Sequence, residues 1–86
     1  MANLAKRVEG IPESVRMPDN AQYINRFQVQ SESSDRLYTI AQHRTGRWWA
    51  CSCRGWIAHK HCKHLRSLGL PGCHQPAEPK RISYQG

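Results

Sequence analysis

Apolar positions alternate with polar ones in the first half of the chain, and then switch to a spacing of three. Phe27-Gln28-Val29-Gln30 reads as a strand, and Leu37-Tyr38-Thr39-Ile40-Ala41 is rich in strand formers. Between them Ser31-Glu32-Ser33-Ser34-Asp35 has the composition of a turn. Thr45-Gly46 supplies a second, hairpin-type turn, from which Arg47-Trp48-Trp49-Ala50-Cys51 runs back. Two or three antiparallel strands with short connections follow. Strand parity puts Trp49, Cys51 and Cys53 on one face, and Trp48 and Ala50 on the other. It predicts a buried Trp49 and a more exposed Trp48. Leu65 and Leu68, at i and i+3, predict one short helix over Lys63 to Leu68, with Lys63 and Arg66 on another face. Gly69 and Pro71 stop it. Arg54-Gly55-Trp56 reads as a bend.

The ends are less patterned. Residues 1–20 are polar and contain Pro12 and Pro18, and Asn3 can cap a short helix through Leu4, Ala5 and Val8 that ends at Gly10. The N-terminal stretch is read as an arm docked on the domain or as a leader. Residues 71–86 contain Pro71, Pro76 and Pro79 with little apolar material, and predict an irregular tail. The division is an arm over 1–20, a domain over 21–70 and a tail over 71–86.

With 86 residues, 38% apolar and 8% aromatic, the core is thin. A chain of this size usually needs a metal, disulfides or a partner to fold. The candidate staple is Cys51 to His64, where Cys51-x-Cys53 and Cys62-x-His64 are separated by eight residues. Residues i and i+2 of an extended strand point the same way, so Cys51 and Cys53 can grip one ion from a strand end. Two residues on a helix are about 200° apart, so Cys62 belongs just before the helix and His64 in its first turn. Three thiolates and an imidazole complete a structural zinc shell. Spacing alone also tolerates His61 in place of His64, and leaves His59, Cys73 and His74 as surplus donors. Two disulfides would need an oxidising compartment. The first residues offer no apolar signal core and no run has the length of a membrane span, so reduced thiols in a cytoplasmic compartment are expected, with no membrane partner.

Trp49, Cys51, Ser52, Cys53, Cys62, Lys63, His64 and Leu65 together resemble the SWIM-type zinc finger, in which Cys-x-Cys precedes Cys-x-His. The resemblance covers about the central half of the chain. It selects His64 as the fourth ligand, beside Cys51, Cys53 and Cys62, and implies one Zn2+. It also implies a small α+β, ββα-like fold that binds nucleic acid or protein.

Thirteen Lys and Arg against six Asp and Glu give a net charge of +7, and nine of the thirteen are Arg, whose planar fork suits phosphate. Arg44, Arg47, Arg54, Lys60, Lys63 and Arg66 are interleaved with Trp48 and Trp56, a pattern suited to phosphate contact and base stacking. Part of this charge serves the metal, because three thiolates around a divalent ion leave −1. The expected function is a zinc-stabilised accessory or regulatory protein that binds nucleic acid, DNA before RNA, with a log–log salt slope of roughly −5 on duplex DNA. The alternative is an adaptor or inhibitor of phage or bacterial type, whose Trp48, Trp56 and Arg residues anchor on an acidic protein. An enzyme acting on a small-molecule substrate is not expected. Four protein ligands close the shell, and the acids Asp35 and Glu78 are isolated.

Overall fold

The computed structural model describes residues 8–30, 35–82 and 84. Its elements are a 3-10 turn Glu13–Val15, strands β1 (Tyr23–Gln30), β2 (Leu37–His43) and β3 (Trp49–Cys51), and helices α1 (Arg54–His59) and α2 (Lys63–Ser67). The strands form one antiparallel sheet in the order β1-β2-β3. The expected N-terminal helix and most of the 31–35 turn lie outside the described residues.

Register explains the core. Phe27 pairs with Ile40 and Ile40 with Cys51; one row along, Ile24 pairs with Gln42 and Gln42 with Trp49. Directly paired residues share a face, so these rows build the inner surface of the sheet. Ile24 and Phe27 are three apart and would point oppositely in a regular strand. A bulge between them, with Asn25 at φ 51, turns both inward, to 3% and 0% exposure. Trp49, Ile40, Leu65 and Ile82 are fully enclosed with Phe27, and Leu65 in α2 and Leu68 at its C-terminal cap are both buried. Trp49 is buried and Trp48 half-buried, in the expected order.

Two findings depart from the expected architecture. There are two short helices, because Arg54–His59 continues as a helical turn and a half instead of bending at Gly55. The bend comes later, at Lys60, whose φ of 61 ends α1 in the left-handed conformation. The tail, irregular in backbone as expected, is nevertheless docked. Pro76 bridges to Trp48, Arg81 to Glu9, and Ile82 is 1% exposed. Gly10, at φ 89, allows that closure, since a Cβ there would lie 2.3 Å from the Ile82 carbonyl oxygen. Val8 and Ile11 complete the core from the N-terminal side.

The sheet's edges are covered by these segments. The Met17 amide donates to the Arg26 carbonyl (2.9 Å) beside β1, and the Ala77 amide to the Arg47 carbonyl (3.0 Å) beside β3.

Candidate metal centre

Four chain positions converge at the end of β3. Cys51 is the last residue of that strand, Cys53 the extended residue before α1, Cys62 the extended residue before α2, and His64 lies in the first turn of α2. Helix α1 is the spacer that carries the chain away and, through Lys60, brings it back. Gly55 lies beside the cluster, where a methyl would make ordinary contact with Cys62 Cβ at 3.4 Å and Cys53 Sγ at 3.8 Å. The tail braces the outside, with the Cys73 amide donating to the Lys60 carbonyl. Gly72 permits that approach, because a Cβ would come within 2.7 Å of His61 Cβ and 2.8 Å of the Lys60 carbonyl oxygen.

The donor atoms of Cys51, Cys53, Cys62 and His64 all lie within 4.8 Å of one another. Metal–sulfur bonds of about 2.3 Å place tetrahedral donors roughly 3.8 Å apart. Cys51 Sγ is 3.8 Å from His64 Nδ1. All three cysteines are free thiols and buried, at 3%, 5% and 7% exposure. Burying three sulfurs and an imidazole together without a cation sets Cys51 and Cys62 against each other. The hydrogen bond shared with Cys51 lowers the Cys62 thiol to about 5, helped by the Leu65 amide in the first turn of α2. The same hydrogen bond, with burial, pushes Cys51 well above its ordinary 9.0. One sulfur thus holds its proton for its neighbour's thiolate, whereas a divalent ion would take both as thiolates. The buried Nε2 of His64 has no hydrogen-bond partner among the described residues. It is the Nδ1 of this ring that faces Cys51, and that nitrogen's lone pair could bind an ion held among the donors. The donor set is compatible with a bound metal ion.

The surplus donors are elsewhere. His59 and His61 are exposed, with ring centroids 5.8 Å apart, and Cys73 is exposed. His74 lies edge-on to Trp48 (4.5 Å) and to Trp56 (5.5 Å). Among the described residues, no other group of three or more Cys, His or acidic side chains has this proximity.

The eight basic and aromatic residues proposed from sequence for nucleic-acid contact fall into two sets. At the turn between β2 and β3, Arg44 donates to the Asn20 carbonyl (2.6 Å), and Arg47 reaches Glu78 at 2.6 Å. Trp48 is stacked on His43, with centroids 4.5 Å apart, and lies 6.1 Å from Trp56, itself buried at 7%. These rings pack against each other. At the metal end, Arg54, Lys60, Lys63 and Arg66 are exposed, and Lys60 Nζ lies 5.9 Å from the Trp56 ring centre. Arg54, Lys63 and Arg66 line an open groove of about 510 Å3 together with Tyr38, His59 and His61, and the cluster's own Cys53, Cys62 and His64 form part of its wall.

Tyr38 is the site residue that sequence reasoning missed, since as a strand former it carries no separate signal. Its ring lies 4.9 Å from that of His64. A second feature was legible in principle. From Arg36 to Ala77 the chain carries seven cations (Arg36, Arg44, Arg47, Arg54, Lys60, Lys63 and Arg66) and no Asp or Glu. The acids are confined to the flanks of this run in sequence, although Glu78 from the tail reaches Arg47.

No protein-family model, curated protein or solved structure matches this chain. Among the described residues, no helix is long and apolar enough to cross a membrane.

Proposed function

We propose that the chain is a zinc-stabilised module of SWIM-like pattern that binds nucleic acid, DNA in the first instance, as an accessory or regulatory factor in a reducing compartment. Three thiolates and one imidazole in a closed shell suit Zn2+ and a structural role, and leave no open position for catalysis. The observation that carries the binding reading is the exposed set Arg54, Lys60, Lys63 and Arg66 beside the metal-end groove, within a stretch free of acids. Cations without carboxylate neighbours can release counterions from a phosphate backbone, which makes affinity steeply dependent on salt. Two of the six cations first considered, Arg44 and Arg47, already serve internal contacts. Four phosphate contacts give a log–log slope of about −4 on duplex DNA, shallower than six would give.

The test is fluorescence anisotropy of the metal-loaded protein on labelled DNA between 50 and 200 mM salt (a range of about fourfold). Affinity should fall by roughly 100-fold over that range. A salt-independent affinity, or one unchanged in the Arg54→Gln/Lys63→Gln/Arg66→Gln variant, would overturn the proposal.

A second reading, an adaptor on an acidic protein, draws support from Ile57 in α1, which is 63% exposed three residues from Arg54. An apolar side chain beside a cation is a common interface anchor. Recovery of one stoichiometric protein partner after nuclease treatment would favour it over nucleic acid.

A further inference from the structure

We propose that the groove beside the metal centre takes an unpaired nucleic-acid strand rather than a duplex, and that Tyr38 is the ring on which a base stacks; this rests on the nucleic-acid reading above. Neither helix is built for duplex reading, since α1 has six residues and α2 five. At 1.5 Å per residue each is under about 10 Å long, too short to lay several side chains along a major groove. The groove is open to solvent and shares Cys53, Cys62 and His64 with the metal cluster, so a strand lying along it would pass over the ligands rather than enter a closed cleft.

Its lining is mixed in the way that strand-binding surfaces require. Arg54, Lys63 and Arg66 supply charge for the backbone, while Tyr38 supplies an aromatic surface at the same cavity. Trp48 and Trp56 are taken up in their own cluster with His43 and His74. Tyr38 differs from them. It is half-buried on β2, opposite Val29, and the His64 ring lies 4.9 Å away at an angle of 41°. A ring steadied by a metal ligand loses little freedom when a base settles on it. Base–aromatic stacking is tolerant of sequence and available only to bases out of the duplex. Ribose and deoxyribose strands share the chemistry recognised here.

The experiment uses the full chain in its metal-loaded form. Anisotropy is measured on labelled oligo-dT, oligo-rU and a duplex of equal length at one salt concentration, with polyglutamate as competitor. The strands should bind at least about 10-fold more tightly than the duplex. Tyr38→Leu should weaken strand binding by about 10-fold without changing the salt slope or duplex affinity, and Tyr38→Phe should stay within about twofold of the unmodified protein. If Tyr38→Leu sheds its metal, the strand-to-duplex ratio of the unmodified protein decides alone. Duplex binding as tight as strand binding would overturn this inference and leave the nucleic-acid reading standing. Displacement by polyglutamate as effective per charge as by oligo-dT would also overturn it. Failure to bind any of the three nucleic acids would remove both.

Discussion

The two ends of β3 are held together by different physics. At its start the chain is closed by ordinary protein contacts. Gln42 is 2% exposed, and its amide nitrogen donates to the Ala77 carbonyl (2.9 Å) and the Arg47 carbonyl (3.3 Å). Its amide oxygen accepts from Asn25 (3.0 Å), and the Trp49 indole nitrogen also donates to Ala77 (3.0 Å). Tyr23, His43, Trp48, Trp56 and His74 pack ring against ring beside them. At the other end of β3, only six residues later in sequence than Trp48 and its turn, lies α1, which together with α2 is too short to be stable by itself. Those helices bury Trp56, Leu65 and Leu68 in the core, and their N-terminal ends meet around three sulfurs and an imidazole. The contrast extends to charge: Arg44 and Arg47 are engaged internally, whereas Arg54, Lys63 and Arg66 face the groove. An end that closes itself by hydrogen bonds uses its cations for structure. An end whose donors are gathered for an ion leaves them on the surface.

The largest expected break in this contrast is loss of the metal. Structural zinc contributes on the order of 10–16 kcal/mol in small domains, comparable with or above the whole stability of a domain this size. Cys62→Ser should therefore abolish the cooperative thermal transition seen by circular dichroism. Acid should do the same at the metal end. The Cys62 thiol lies below its ordinary 9.0, so the stability tied to its thiolate is fully present above that value and lost as pH falls through about 5. Metal release has the same sign, because protons compete for the sulfurs. The bound metal, followed by native mass spectrometry, should be retained at neutral pH and lost progressively as acid protonates the sulfurs.

Next comes charge. Replacing Arg54, Lys63 and Arg66 by Gln should reduce the salt slope of nucleic-acid binding by about 3, while Arg44→Gln with Arg47→Gln should change it by less than 1. Equal effects from the two sets would erase the distinction between the ends. Gln42→Leu removes the hydrogen bonds from Asn25 and to Ala77 and Arg47, and should cost about 2–3 kcal/mol in urea unfolding, with metal content unchanged. The smallest effect belongs to Glu78→Gln. Its ion pair with Arg47 joins side chains that are 34% and 57% exposed, and should be worth under about 1 kcal/mol by the same titration.

Much of the metal end was legible because its chemistry is local. The i, i+2 spacing of Cys51 and Cys53 matches a strand end, and Cys62 and His64 straddle the start of α2 as the helical angle requires. The paired strands and the buried Leu65–Leu68 stripe followed from periodicity in the same way. Helix α1 was hidden by Gly55, which reads as a bend in sequence but lies inside the helix. The docked tail was hidden by composition. Ile82, with Ala77 and Tyr84 packed beside it, seats it, and Gln42, 35 positions from Ala77 in sequence, fastens it. Arg47 and Glu78 are likewise 31 positions apart, so no local pattern could separate an engaged arginine from a surface one. The bulge at Asn25 could not be read either, since it is defined by the partner strand.

The measurement that bears most directly on this account is thermal melting of the purified chain with and without a strong chelator, its metal counted by native mass spectrometry. One metal ion per chain, with a cooperative transition that disappears when the ion is removed, is the predicted result. A chain that melts cooperatively at an unchanged temperature after losing its metal would contradict it.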